Sequence, residues 1–348
     1  MRLFAQDLTT DTLQHIAARG LSEAGGPKPL LLRVLVDLFV RRPSHSDDEI
    51  QHFAEIAHSI LPCATRAEID HAAERLCTHP AAPGEVMDLL AVRAGAGALL
   101  LFEKCRRLST GVLHQAALSG TVDAACAIAK RDDLDPATLD LLAARSERAI
   151  HLALVKNEYA PLSASFVQQM IMRASDDAEL ARALCHRLPQ SHKIWPLFYH
   201  ATRADRLLII ASANKQCADT KNTDLACHLS CDLSELIDHA QKGTEAFVAY
   251  LTQHLPCSDD WARRILHDQG GEPLIIILRA LGAEPELITQ IFDLIQPDLT
   301  QGQIIWRQAL SRFITQSVAQ NLLQNLLCSS GAKTKISIAE QKSQMLSA

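Results

Sequence analysis

Aromatic side chains are scarce in this chain: three Trp, three Tyr and nine Phe, or 4% of 348 residues. That argues against an all-β core, whose strands draw on aromatic and β-branched residues. It also argues against a surface that holds nucleic acid by base stacking. Basic excess is missing as well. The formal net charge is −6, whereas nucleic-acid binders carry a basic footprint, so nucleic acid is not an expected partner. No apolar run reaches the ~18–20 residues of a membrane span; the densest, Leu30 to Val40, is interrupted by Arg33 and Asp37. The opening Met1-Arg2-Leu3-Phe4-Ala5-Gln6-Asp7 lacks the charged-then-apolar layout of a secretory signal.

Paired cysteines are also absent. The ten cysteines stand singly, most of them among Ala and Leu, with no Cys-x-x-Cys. Free Cys in such surroundings acts as a small hydrophobe, so the expectation is a reducing cytoplasm and no disulfide framework. There is no His-Glu-x-x-His and no Gly-x-Ser-x-Gly. No catalytic residue is assigned, and neither a cofactor nor a metal is expected.

What the chain does have is a period. Similar stretches start at Pro83, Ser109, Asp135 and Ser163, in steps of 26, 26 and 28 residues. Each is preceded by an apolar residue: Ala82, Leu108, Leu134, Leu162. Seven, eight and eighteen positions in, the residues are again apolar: Leu90, Ala116, Leu142, Met170; Ala91, Ala117, Ala143, Ile171; and Leu101, Ala127, Ala153, Ala181. Each stretch suits two short helices, too short to be stable alone. A fixed period of this length therefore predicts an all-α stack of antiparallel helix pairs, an α-solenoid.

The caps agree. Ser109, Asp135 and Ser163 can accept hydrogen bonds from the free amides of a first turn, and Pro83 suits the first helical position. Ser46 with Glu49, and Thr65 with Glu68, have the spacing of capping boxes. Before the array, helices are expected over 11–25 and 30–42; after about Pro189 the period fades into a less regular helical region. There, 194–213 keeps a helical pattern, 214–224 is polar and reads as a loop, and helices are expected over 232–241, 243–254, 258–268, 272–281, 285–295 and 300–327. The expected organisation is an array over 1–190, a second helical region over 191–328, and a disordered tail over 329–348.

Several short motifs carry a resemblance: Arg33-x-x-x-Asp37-Leu38-Phe39, Ala82-Pro83-x-x-Val86-x-x-Leu89-Leu90-Ala91, Ile128-Ala129-x-Arg131-x-x-Leu134, Asn157-x-x-Ala160, and Gly271-Glu272-Pro273-Leu274 followed by Arg279-Ala280-Leu281-Gly282. Over roughly residues 28–325 the chain resembles an uncharacterised, mainly alphaproteobacterial family built from HEAT-like helical repeats. The resemblance implies architecture and brings no activity. Val92-Arg93 departs from the polar residue that the family places after the Leu-Ala at 90–91.

Candidate sites are few. Gly95-Ala96-Gly97 lacks the third glycine and preceding strand of a dinucleotide loop and reads as close helix packing. Cys217, Cys227, His228 and Cys231, with His239 as a further donor, are the nearest approach to a metal set, but the second closely spaced ligand pair of a structural zinc site is missing. Asn157 and Arg131 hold equivalent positions, and Asn157 reads as a left-handed helix terminus. The sharpest candidate is a row of cations. Lys104, Lys130 and Lys156 each lie 21 residues past a repeat start, with Arg107 and Arg131 close by and Leu184 ending the row. Equivalent positions of an array line up on one surface, though a lysine at a helix C-terminus also complements the macrodipole. The reading is a non-catalytic interaction scaffold or regulatory adaptor that binds an acidic segment of a protein partner. Its alternatives are a HEAT-like nucleic-acid enzyme such as a DNA glycosylase, or a regulatory module with a small ligand between its two halves.

Overall fold

Ser46 and Thr65 each close a full capping box: the side chain accepts from the amide three residues on, and Glu49 or Glu68 accepts from the cap's own amide. They open two of the helices in a computed structural model that describes residues 31–219 and 233–329. All regular structure among the described residues is helical. The chain divides into two compact units, Met1–Phe166 and Val167–Ala348, so the division falls earlier than the 190 at which the period fades in sequence.

The first unit runs α1 Leu31–Val40, α2 Asp47–Ile60, α3 Arg66–Leu76, α4 Gly84–Arg93, α5 Ala96–Lys104, α6 Thr110–Ser119, α7 Val122–Ala129, α8 Pro136–Ala144 and α9 Arg148–Lys156. Two rows result. Helices α1, α3, α5, α7 and α9 pack in sequence against one another, and α2, α4, α6 and α8 form the second row. The periodic apolar positions supply the interior: Leu90, Ala91, Leu101, Ala117, Ala127 and Leu142 are all buried. Ser109 and Asp135 cap α6 and α8 as expected, accepting from Val112 and Thr138 at 3.3 and 3.0 Å. Pro83 occupies the cap position of α4 itself rather than its first helical residue.

Gly97 sets how closely α5 approaches α3. A Cβ there would stand 2.8 Å from the Cβ of Ala73 and 3.1 Å from the backbone of Asp70. The same aspartate's Oδ1 accepts from the amides of Gly95 and Gly97 at 2.7 and 3.0 Å. The glycines thus serve helix packing. Gly97→Ala is expected to cost about 1–3 kcal/mol in urea unfolding, as overpacking does. Gly111→Ala, where the nearest atom is 3.9 Å away, should stay within about 0.5 kcal/mol of the parent.

Helix α10, Ala164–Ala174, spans the division, with Ser163 accepting from the Phe166 amide at 3.2 Å. The second unit continues with α11 Ala178–Arg187, a 3₁₀ segment His192–His200, α12 Arg203–Asp219, α13 Leu233–Gln241, α14 Thr244–His254, α15 Asp259–Leu266, α16 Glu272–Ala280, α17 Pro285–Ile295, α18 Gln301–Phe313 and α19 Gln316–Ser329. At its centre, α16 is buried on all sides from Glu272 through Leu278, as a helix apolar all round must be; α15, α17, α18 and α19 pack on it. It ends in a Schellman turn. Gly282 takes φ +92, its amide donates to Arg279 and the next amide, of Ala283, donates to Leu278.

Three expectations are corrected here. The stretch 300–327 is two helices, because Ile314 leaves helical geometry at ψ 116 and Thr315 starts a new helix, accepting from the Val318 amide. The stretch 194–213 is not one helix: it is 3₁₀ through His200, with Pro196 inside the segment, where it removes an amide donor, and a separate α-helix starts at Arg203. The polar run expected as a loop from 214 is helical through Asp219; its remainder, the helix expected over 11–25 and the tail after 329 lie outside the described residues.

Candidate functional site

Lys104 and Lys156 are the last residues of α5 and α9, and Lys130 is the C-cap of α7. These three helices are neighbours in one row, and all three lysines are exposed. Each ammonium therefore sits where the helix dipole favours a cation. Lys130 Nζ lies 3.6 Å from Glu103 Oε2 of the preceding helix. Arg106 reaches forward to Asp132 at 2.7 Å. The edge therefore alternates in sign, and exposed pairs of this kind contribute little to stability.

The two arginines expected beside the lysines behave differently. Arg107 is exposed, and its Nη2 donates back to the Pro80 carbonyl. Arg131 is only 4% exposed, so it is removed from the surface set. Its Nε and Nη2 grip Asp133 at 2.7 and 2.8 Å, and its Nη1 donates to the carbonyls of Phe102 and Cys105 at 3.0 and 2.9 Å. Asn157, one repeat later, does the same with an amide: Nδ2 donates to Ala129 and Arg131 carbonyls at 2.8 and 2.6 Å. Its φ is −80, so the structural role stands but not as a left-handed terminus. The side chain instead satisfies the carbonyls that the previous helix leaves free.

A second staple escaped the sequence reading. Arg93 Nη1 donates to the Leu61 carbonyl at 2.7 Å, and Arg145 Nη1 donates to Ala117 and Gly120 at 3.2 and 2.9 Å. Arg145 also pairs with Glu147 and holds that carboxyl down at about 2, chiefly through their hydrogen bond. The signal was present: Arg93, Arg145 and Arg173 each stand ten residues after a repeat start. One residue before them runs an exposed aliphatic series, Val92 at 73%, Leu118 at 60%, then Ala144. Five residues after a start, Asp88 accepts from the Ser109 amide at 2.9 Å, and His114 meets Asp135 at 3.4 Å. Arg93, Arg131, Arg145 and Asn157 thus tie helices of the first unit to backbone carbonyls at the ends of earlier helices.

A cleft of about 830 Å³ between α2 and α4 is lined by Asp47, Glu55, His58 and Glu85, all of them exposed and so solvated. Buried thiols are held protonated: desolvation pushes Cys77 to about 11 and, in the second unit, Cys185 to about 12. A thiolate is the ligand and the nucleophile, so these positions act as apolar filling. Among the described residues no three His, Cys, Asp or Glu side chains come together as a metal site. The side chains of Cys217, Cys227, His228 and Cys231 lie outside the described residues, while His239 Nδ1 donates to the Glu235 carbonyl of its own helix at 2.8 Å and its ring is tilted against that of Tyr250 at 4.9 Å between centroids. No helix among the described residues is long and apolar enough to cross a membrane.

The second unit holds a buried ionic cluster. Glu272 is fully buried at the start of α16, with Oε2 3.1 Å from Arg206 Nη1 and Oε1 3.5 Å from Arg203 Nε. Arg206 also binds Asp268 through both carboxylate oxygens, at 3.0 and 2.9 Å. Arg307, whose Cζ lies 4.3 Å over the Phe292 ring, donates to Gln296 and the Gln269 carbonyl. Burial pushes the Arg307 guanidinium down from its usual value, against the pull of Glu272.

Residues 98–226 match a family described as an uncharacterised protein conserved in bacteria (DUF2336). That stretch runs from within α5 into the residues beyond α12, a narrower span than the resemblance in sequence. No curated protein and no solved structure matches the chain.

Proposed function

We propose that the chain is a non-catalytic interaction module. In this reading the first unit is a HEAT-like α-solenoid that works in the cytoplasm as a scaffold or regulatory adaptor. It binds an acidic segment of a partner protein along Lys104, Lys130 and Lys156, with Arg107 beside them. The observation that carries the proposal is the register: one lysine recurs at the same offset at the ends of three neighbouring helices, and each is exposed. The staples of Arg131, Asn157, Arg93 and Arg145 support it, since a stack locked by its own side chains offers a partner a surface that needs no reordering. The exposed aliphatic series Val92, Leu118 and Ala144 supports display rather than chemistry as the use of this unit.

The test is a fluorescent glutamate-rich peptide titrated against the full chain and against the variant Lys104→Gln, Lys130→Gln, Lys156→Gln. With about 0.5 kcal/mol per exposed charge, the triple variant should bind roughly tenfold more weakly. It should also show a flatter dependence on salt, because exposed charges are screened beyond about 8 Å at 0.15 M. Its melting temperature should stay within a degree or two of the parent. Unchanged peptide binding together with a lowered melting temperature would make the lysines helix-end stabilisers and nothing more.

A further inference from the structure

The lysine edge differs at its two ends. Three loops follow the helices that carry it, and their exposed residues change along the row. After α5 come Lys104, Arg106 and Arg107, all cationic and all exposed. After α7, Lys130 is followed by the exposed Asp132 and Asp133, and Arg106 reaches across to Asp132 at 2.7 Å. After α9, Lys156 is followed by Glu158 and Tyr159, again exposed. Tyr159 takes the place that Arg107 and Asp133 hold in the earlier loops, each 24 residues past a repeat start. At 73% it is the most exposed aromatic side chain among the described residues. Pro161, close by in the same loop, is exposed as well.

One side chain ties Tyr159 to the lysines. Asn157 Oδ1 accepts from the Tyr159 amide at 3.0 Å, while its Nδ2 donates to the Ala129 and Arg131 carbonyls at 2.8 and 2.6 Å. Those two residues are the sequence neighbours of Lys130, and Asn157 itself follows Lys156. On the other side of Tyr159, Ala160 is buried and its amide donates to the Asn157 carbonyl at 3.3 Å. The same relation recurs one step back, where Arg131 Nη1 donates to Phe102 and Cys105 on either side of Lys104. The Tyr159 backbone is thus fixed at the end of the edge while its ring stays in water. A ring on a fixed backbone loses little freedom when a partner covers it, and tyrosine is among the side chains on which interfaces concentrate their binding energy.

Charge and spacing say what such a partner looks like. Acidic groups are drawn to the α5 end, where three cations meet, and are opposed by Glu158 at the α9 end, since like charges placed together are costly. What suits the Tyr159 end is therefore apolar. Helices α5, α7 and α9 are successive neighbours, and packed helices lie about 8–10 Å apart, so the two ends are separated by about 16–20 Å. An extended chain advances about 3.3 Å per residue, so about five or six residues cover the distance. Building on the reading of the lysine edge as a partner site, we propose that Tyr159, with Pro161 beside it, is its apolar anchor. The partner is an extended segment with an acidic run and, about five residues away, an aliphatic side chain that packs on the Tyr159 ring.

The probes are two fluorescent peptides, each a run of glutamates and a spacer of about four glycines closed by leucine or by serine. Both are made in both chain orders and titrated against the full chain. In one order the leucine peptide should bind about fivefold more tightly than its serine twin, because part of the leucine surface leaves water. Tyr159→Ser should cut that advantage below about twofold and leave the affinity of the serine peptide unchanged. Tyr159→Phe, which keeps the ring, should keep the advantage, and a spacer of about one glycine should abolish it. Lys104→Gln, Lys130→Gln, Lys156→Gln should weaken both peptides alike. An unchanged helical spectrum verifies that each variant folds. A leucine that adds nothing in either order, or a gain that survives Tyr159→Ser, overturns the anchor and leaves the lysine reading standing. A serine peptide indifferent to the lysine changes overturns both.

Discussion

Arg131→Ala is expected to cost the first unit about 3–5 kcal/mol, far more than a surface arginine would. The side chain is nearly fully buried and makes four contacts of 3.0 Å or less. Alanine would leave the Phe102 and Cys105 carbonyls at the end of α5 without a donor and Asp133 without its counter-ion. A buried acceptor stripped of its partner costs on the order of 1–3 kcal/mol, and two are exposed at once here. Arg131→Lys separates charge from geometry. A single ammonium can serve the carboxylate or the two carbonyls, but it lacks the fork that spans both. It should therefore recover less than half of the loss. The measurement is urea unfolding read by amide exchange in α5 and α7, because a chain with two units need not unfold in one step. A loss under about 1 kcal/mol, or full rescue by lysine, would show that the staple does not hold the repeats together.

The staple also says why short helices can present a stable surface. Helices of nine residues such as α5 and α9 are marginal in isolation. Arg131 and Asn157 tie the end of one helix to the end of an earlier one where apolar burial alone would leave carbonyls free. The lysines sit next to these ties in sequence: Lys130 precedes Arg131 and Lys156 precedes Asn157. One residue turns in to fix the helix end and its neighbour turns out with a charge. In the proposed function, the inward residue is what keeps the outward one in place.

Much of this was legible in the sequence because it depends on local chemistry. The capping boxes at Ser46 and Thr65, the caps at Ser109, Asp135 and Ser163, and the buried periodic positions need only the first turn of a helix or its spacing to be read. The inward turn of Arg131 was not legible. A long cationic side chain at a helix end suits solvent as well as it suits a neighbour's carbonyls, and only the packed repeat decides between them. The break at Ile314 was hidden for a different reason: no Gly or Pro marks it, and Thr315 reads as an ordinary helical residue until its cap bond is seen.

Glu272→Gln is the corresponding large effect in the second unit, and about 3–5 kcal/mol of destabilisation is expected. The substitution keeps volume and shape, so it isolates charge. Three cations, Arg203, Arg206 and Arg307, share this region with two carboxylates, Asp268 and Glu272. Neutralising Glu272, which is 0% exposed, leaves Asp268 alone to balance them away from water. Position adds to the effect, since Glu272 is the first residue of α16, where a negative charge also favours the helix dipole. The control is Arg203→Met. Arg203 has a side chain 53% exposed, and its loss should cost less than about 1 kcal/mol because water replaces its contact. Replacing both members of the buried pair, Glu272→Leu with Arg206→Leu, should lose less than the two single changes added together, since no charge is then stranded. Chemical unfolding of these variants and of the two single leucine changes decides the point. A Glu272→Gln protein within about 1 kcal/mol of the parent, or a double variant whose loss is simply additive, would mean that the carboxylate is not what holds α16 to α12.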